Sequence, residues 1–300
     1  MRSMNQKKVV GIDFGGTKIN FGVVTETGQI LGEEILLPTN SDRSADKISK
    51  TIVEGVLSAI DSAGCAISDL QGIGIGSPGP LDLKNGVILK SPNLPTMKNY
   101  PLKKTVADHF KIPVAVNNDG NCFVLGEAFF GAGKDANIVC GVTLGTGFGF
   151  GIVFNHKIYT GSTGTAAEVW CSPYADSNFE EYGSARTVVR IYTQKTNKTL
   201  EAKDIYHLAE QNDPQAIETF AEFGKNLGKI LAIMVNILDP DVFVIGGSVS
   251  NAWDFFHTTL KTNLIQNIND GPKNHLKVTR AALGDNAGVL GAAALVFSQL

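Results

Sequence analysis

Cysteine is scarce in this 300-residue chain: Cys65, Cys122, Cys140 and Cys171 are the only four, and no two stand in a CxxC spacing. With no disulfide or zinc framework to read, a reducing compartment is expected. The five histidines, His109, His156, His207, His257 and His275, form no cluster. Each is expected to be structural or exposed. Long apolar runs are missing too. The greasiest, "ILAIMVNIL" at 230–238, lies between Lys229 and Asp239 and is too short to span a bilayer. The opening "MRSMNQKK" has no apolar stretch of the signal-peptide kind, so a soluble cytoplasmic protein is expected. Charge of one sign is not in excess either. Lys+Arg 26 against Asp+Glu 29 gives a net charge of −3, and no like-charge block suggests a nucleic-acid or membrane surface. No GxxxxGK[ST] occurs, so a nucleotide would not be held by a P-loop. Gly74-Ile-Gly76-Ser-Pro-Gly79 has the GxGxxG spacing after a strand, but Pro78 and Pro80 follow and no helix opens, which speaks against a dinucleotide site.

What is abundant is glycine, 33 residues clustered at the ends of predicted strands, and an apolar fraction of 43% that can fill two cores. "VVGIDFGGTKINFGVV" (9–24) and "VCGVTLGTGFGFGIVF" (139–154) both read as strand, Gly-rich turn, strand. Aligned without gaps they place Val9 over Val139, Gly11 over Gly141, Gly15 over Gly145 and Val23 over Val153. The shared pattern weighs more than those identities. Strands are expected at Lys8–Ile12, Asn20–Val24 and Gln29–Leu37, then a helix over 42–63 from the spacing of Ile48, Ile52, Val53, Val56, Leu57 and Ile60. Further strands fall at Gly72–Gly76 and Val114–Val116, with a helix at Leu102–Phe110 between them. Helix Asp119–Phe130 then leads into strands Ile138–Leu144, Phe148–Phe154 and Lys157–Tyr159. A long loop fills 160–183. Helices are expected at 184–195, 204–211, 214–238, 252–267 and 286–298, and strands at Val242–Ile245 and Leu276–Thr279. A three-strand-then-helix module thus occurs twice, which predicts mixed α/β architecture in two related domains with a cleft between them. Ligands in such sheets bind beyond the carboxyl ends of the strands.

Glycines at a hairpin tip leave backbone N–H groups open to phosphate oxygens. Thr17 and Thr146 could add hydroxyl donors, and Asp13 could hold a hydrated Mg²⁺. Either hairpin alone is better read as an ordinary turn; the pair favours a polyphosphate. In "VNNDGN" (116–121), Asp119 stands where strand gives way to helix. A carboxylate there could accept a proton from a substrate hydroxyl while Asn118 fixes the substrate; equally, Asp119 could be the helix N-cap. Glu168 and Glu180 lie in the long loop, where carboxylates could grip sugar hydroxyls or simply be solvated beside Glu181. Gly246-Gly247-Ser248 after an apolar strand could pack against a nucleoside or be only a strand-to-helix turn.

Together "GIDFGGTK", "GIGIGSPGP", "SPNLP", "NNDGN", "LGTGFGFGIVFNHKIYTG", "DPDVFVIGGSVS" and "LGDNAGVLGAA" resemble, in order and spacing over nearly the whole chain, the ROK family of sugar kinases and repressors. That family lies within the actin/hexokinase/Hsp70-like ATPase superfamily. The resemblance implies two ribonuclease-H-like (actin-like ATPase) domains with a nucleotide and sugar cleft between them. They would comprise residues 1–118 with 284–300, and residues 119–283. It implies ATP and Mg²⁺ as cofactors, with Asp13, Gly15, Gly16, Thr17 and Lys18 in the first phosphate motif. Gly145, Thr146 and Gly147 fall in the second, and Gly246 and Gly247 near the adenosine. Asp119 matches the base that activates the sugar hydroxyl; Asn93, Asn118, Glu168 and Glu180 match sugar-pocket positions. Mg²⁺ would be held by Asp13 through water. The departures are local. Cys171 stands where the family has His in Glu-x-x-His, and "SPYADSNFEEY" replaces the family's CxCGxxGC cluster. No zinc is therefore expected, because one Cys cannot complete a four-ligand site. Packing of Trp170, Tyr174 and Phe179 would hold that loop instead. The expected activity is phosphorylation of a hexose, with glucose and its 6-hydroxyl as defaults. Fructose, N-acetylmannosamine, N-acetylglucosamine and allose are the competitors. The alternative is a sugar-binding regulator or sensor with reduced or lost turnover. The partners implied are sugar and ATP, with no nucleic acid and no membrane, and the resemblance allows a homodimer.

Overall fold

β-Branched and aromatic residues alternate with glycine along the first strands, which favours extended backbone with room for a helix laid across it. The computed structural model describes residues 6–300. The chain divides into two units, one of residues up to Lys134 with 156–164 and 282–300, the other of 135–155 and 165–281.

The first unit is built on β1 (Lys8–Phe14), β2 (Lys18–Thr25), β3 (Ile30–Pro38), β4 (Leu70–Ser77) and β5 (Val114–Asn118). Its sheet runs in the order β3-β2-β1-β4-β5. The first three strands are antiparallel, while β1, β4 and β5 are parallel. Helix α1 (Ala45–Ser62) buries Ile48, Ile52, Val56 and Ile60 of the predicted stripe, while Val53 is half-buried and Leu57 faces outward, exposed. Fully buried Ile12, Phe14, Phe21, Ile73 and Ile75 fill the core with them. Helices α2 (Leu102–Phe110) and α3 (Asp119–Phe130) follow. The C-terminal helix, Ala287–Phe297, returns to this unit and packs on β1 and β4. Gly74, the first glycine of the GxGxxG spacing, serves that contact: a Cβ there would sit 1.8 Å from the Ala292 carbonyl oxygen. Glycine is required for close packing of sheet and helix, not for a dinucleotide.

Helix α3, expected to open the second domain, packs in the first unit instead. It is apolar all round, with Cys122, Phe123, Val124, Leu125 and Ala128 buried, so it needs cover on every side. Its buried Glu127 is satisfied by three backbone donors. Oε2 accepts from Ala132 N–H (2.8 Å), and Oε1 from the N–H groups of Ala282 (2.9 Å) and Leu283 (3.0 Å). A buried carboxylate without those bonds would cost several kcal/mol, so the bonds tie the helix end to the lead-in of the C-terminal helix. The unit boundary therefore falls after Lys134 rather than after Asn118.

The second unit contains β6 (Ile138–Leu144), β7 (Phe148–Phe154), β8 (Val242–Gly246) and β9 (Lys277–Arg280), ordered β7-β6-β8-β9. Strands β6 and β7 form an antiparallel hairpin; β8 is parallel to both β6 and β9. Residues 173–183 of the expected loop are ordered into the strand pair Pro173–Tyr174 and Ser177–Asn178 and a short helix, α4 (Phe179–Gly183). Ring contacts hold this segment: Tyr174 meets Phe179 at 6.0 Å and Tyr182 at 5.1 Å between centroids. Trp170, expected in that packing, is 44% exposed, and Tyr182 takes its part. Helices α5 (Ala185–Thr196), α6 (Ala202–Glu210), α7 (Pro214–Leu238) and α8 (Trp253–Gln266) complete the unit. Its core centres on Phe220, Phe223, Phe243 and Phe256.

Candidate functional site

In the first unit the parallel register sets Asp13 beside Gly76 and Gly76 beside Asn117 at the carboxyl ends of adjacent strands. Neighbouring strands lie about 4.8 Å apart, so this row puts Asp13 roughly 10 Å from the strand that delivers Asn118 and Asp119. The turn after β1 closes with Gly15 N–H on the Lys18 carbonyl (3.0 Å). Thr39 braces it with its hydroxyl on the Gly15 carbonyl (2.6 Å) and its N–H on the Thr17 carbonyl (2.9 Å). Thr17 and Lys18 are exposed at the tip. Asn93 belongs to the same corner, its carbonyl oxygen 2.8 Å from the point where a Cβ on Gly16 would lie.

Burial raises the Asp13 carboxyl above its ordinary pKa; Lys18 opposes this and Glu34 adds to it. Charge on Asp13 is therefore costly until a cation neutralises it, as suits a carboxylate that helps to hold a hydrated divalent ion. The N-cap of α3 is Asn118, whose Oδ1 accepts the Gly120 N–H at 2.8 Å. Asp119 is the first helical residue and is exposed; its Oδ1 also lies 2.8 Å from Gly120 N. The capping duty that competed for Asp119 is thus carried by its neighbour. Asn117 accepts from Asn118 N–H (2.8 Å) and from the Asn121 amide (3.0 Å), which fixes the bend where strand becomes helix. Burial, then the negative charges of Asp119 and Asp13, push the Cys122 thiol well up, so this cysteine is inert behind them.

In the second unit the turn between β6 and β7 closes with Gly145 N–H on the Gly147 carbonyl (3.1 Å) and leaves Thr146 exposed. Gly246 ends β8, and Gly247 follows with φ +82°. A Cβ on Gly247 would come within 2.5 Å of the Leu144 backbone, so this glycine lets the strand-to-helix turn press on the second hairpin. Ser248 beyond it opens a cavity of about 230 Å³ lined by Tyr206, His207, Phe220, Val249 and Asn251 among others. Sequence reasoning missed this cavity and set His207 aside. The Gly246-Gly247-Ser248 turn marks one wall; the others come from helices distant in sequence.

The loop carboxylates part company. Glu168 is exposed, and its Oε2 takes the Trp170 indole N–H at 3.1 Å. The exposed Cys171 thiol lies 3.8 Å from the Glu168 carbonyl. Glu180 has both oxygens engaged, Oε2 by Phe148 N–H (3.2 Å) and Oε1 by the Arg186 guanidinium.

Residues 9–299 match the family model described as the ROK family. A glucokinase from Halalkalibacterium halodurans is 31% identical over 325 aligned positions, 99% of this chain and 97% of that one. The crystal structure of a ROK family glucokinase from Streptomyces griseus in complex with glucose and AMPPNP superposes with a TM-score of 0.76. It is 32% identical and covers 96% of this chain and 98% of the other. A protein described as a putative xylose repressor from a Caldicellulosiruptor species is 29% identical over 97% of this chain and 78% of its own length.

Proposed function

This chain belongs to the ROK family, is a sugar kinase with the actin-like ATPase fold by that kinship, and, we propose, moves a phosphoryl group from ATP to a hexose hydroxyl with Asp119 as general base. The 6-hydroxyl of glucose is the first acceptor to test, since glucokinases stand among the full-length relatives. The observation that carries the reading is the row Asp13, Gly76, Asn117, which brings a half-buried carboxyl, a glycine turn and the exposed Asp119 to one end of one sheet.

The residues fit the group they would hold. Gly15 to Lys18 and Gly145 to Gly147 present tip backbone and exposed Thr17 and Thr146 hydroxyls to phosphate oxygens, and Asp13 would hold Mg²⁺ through water. The cavity beside Gly247 and Ser248, with Tyr206, Phe220 and Val249 in its wall, has the apolar faces a purine needs. ATP supplies the phosphoryl group and Mg²⁺ lowers the charge on it. Asp119 Oδ would take the proton of the attacking hydroxyl as that oxygen bonds to the γ-phosphorus and the bond from phosphorus to the β,γ-bridging oxygen breaks, with ADP as the leaving group. Asn118 and Asn93 orient the sugar, and Glu168 accepts from its other hydroxyls while Trp170 fixes that carboxylate. Catalysis of this kind rests on positioning and charge neutralisation.

ADP release from MgATP across hexoses, amino sugars and their N-acetyl forms tests this, with Asp119→Asn beside the wild type. Sugar-dependent turnover that the variant lacks is the expected result. Equal turnover in the variant would remove Asp119 from the mechanism, and no turnover with any sugar would favour a regulator.

A further inference from the structure

Tyr174, Phe179 and Tyr182 pack on one another, and Trp170 of the same segment is left out, with 44% of its surface exposed. A single exposed apolar side chain needs no account on its own. What sets Trp170 apart is how it is held. Val169 N–H donates to the Ala167 carbonyl (2.8 Å) and Ser172 N–H to the Val169 carbonyl (2.9 Å), so the chain turns tightly on both sides of it. Its own carbonyl accepts the Glu180 N–H at 3.1 Å. Its indole Nε1–H donates to Glu168 Oε2, also at 3.1 Å. Trp170 is therefore bonded to both loop residues that match sugar-pocket positions, to Glu168 through its ring and to Glu180 through its backbone. With the N–H spent on Glu168, the exposed remainder of the ring is apolar.

We infer that the exposed indole face of Trp170 is a stacking platform for the acceptor sugar, and that it selects a pyranose with equatorial hydroxyls. This rests on the sugar-kinase reading for the identity of the ligand. Such a sugar carries its hydroxyls round the rim and only C–H bonds on its flat faces. The rim suits a carboxylate, which accepts from hydroxyls. The faces suit an aromatic ring, whose electron-rich face attracts C–H hydrogens and sheds water as they meet. Trp170 and Glu168, bonded to each other, offer both surfaces side by side. The turn bonds fix the indole before a ligand arrives, which lowers the entropy lost on binding. An axial hydroxyl on the stacked face would hold the sugar off the ring and give up its bond to water without replacement.

The test compares Trp170→Ala and Trp170→Phe with wild type, and both variants should melt close to it because the side chain lies at the surface. The chain has two tryptophans, and Trp253 is packed against Phe256 and His257. Glucose added without nucleotide should change the emission of the wild type, and most of that change should be missing from Trp170→Phe. Calorimetry should give a glucose Kd weaker by about tenfold in Trp170→Ala, the loss expected when roughly 50 Å² of apolar contact goes. Trp170→Phe keeps a ring but not the N–H and should fall between, with the MgAMPPNP Kd of both variants within about twofold of wild type. Mannose and allose carry their axial hydroxyls on opposite faces of the ring, so one of them should lose less than glucose does in Trp170→Ala. Equal losses for all three sugars would refute the preference. A glucose Kd unchanged in Trp170→Ala, or the same emission change in wild type and Trp170→Phe, would overturn the platform itself. A wild type that binds hexoses but phosphorylates none removes the kinase reading and leaves the binding data to decide the platform; one that binds no hexose removes both.

Discussion

The two glycine hairpins look alike in sequence and are held in different ways. Strand pairing shows the first difference. Phe14 pairs with Ile19, leaving four residues in the first turn, whereas Leu144 pairs with Phe148, leaving three in the second. Gly11 faces Gly22 and Gly141 faces Gly151, so the second strands are offset by one relative to the ungapped overlay. The match of Val23 with Val153 is therefore not a structural equivalence: Val23 pairs with Val10, and Ile152 with Cys140, its counterpart. The braces differ as well. A neutral threonine, Thr39, holds the first tip, and the charged pair Glu180 and Arg186 holds the second. The same presentation of backbone can be reached through either neutral or ionic bonds, but only the ionic brace responds to salt and to charge substitution.

The largest expected effect sharpens the chemical asymmetry between the hairpins, since the candidate base belongs to the first unit, at the same end of its sheet as the first hairpin's tip. Asp119→Asn should lower kcat by about 10²–10⁴-fold with small changes in thermal stability, measured by coupled ADP assay and melting curves. Next, Gly247→Ala should damage the second hairpin selectively. Its positive φ and the clash with Leu144 predict a loss of about 2–3 kcal/mol, read from urea unfolding, and weaker nucleotide binding with it.

A third prediction separates stability from function in the first hairpin. The Asp13 carboxyl has a folded pKa above its unfolded value of 3.8, so folding favours its protonated form. Its ionised form therefore weakens the fold at neutral pH, and that penalty is relieved as pH falls through the raised pKa toward 3.8. Asp13→Asn should accordingly raise the neutral-pH melting temperature by a few degrees at most, on the scale of about 2–4 °C per kcal/mol, while losing kinase activity. The stability gap should narrow on acidification. A gap that widens on acidification, or a variant that melts lower at pH 7, would refute this account. The smallest effect belongs to Thr39→Val. It removes one neutral bond from the first tip and should raise the ATP KM by about fivefold, from a loss of about 1 kcal/mol, with little dependence on ionic strength. If the braces differ as described, 0.5 M salt should narrow the difference between wild type and Arg186→Ala but leave that of Thr39→Val unchanged.

Most elements were legible in the sequence because their signals are local. The helical spacing of Ile48, Ile52, Val53, Val56, Leu57 and Ile60 predicts α1, and apolar residues around Gly-rich turns predict the hairpins. The N-cap is one residue earlier than Asp119, the cap that the sequence suggests. Asn118 and Asp119 are both good caps, and only the backbone dihedrals choose between them. The placement of α3 was not legible, since its cover comes from the C-terminal helix and its Glu127 is satisfied by N–H groups 155 and 156 residues away. The engagement of Glu180 was hidden for a similar reason. Its partners Phe148 and Arg186 lie 32 and 6 residues away, and nothing in "FEEYGSAR" shows which way the carboxylate turns.

The sequence by itself determined the family, the alternation of strands and helices, and the residue types available for phosphate, proton and sugar hydroxyl. These follow from periodicity, turn chemistry and motif order, which act over a few residues. Tertiary structure alone decided that Gly74 serves the packing of a helix, that Glu180 faces a hairpin amide, and that Tyr206 and Val249 line one cavity with Ser248. Those outcomes depend on which distant segments meet. Close approach and hydrogen-bond satisfaction are properties of pairs in space, and no stretch of chain carries them alone.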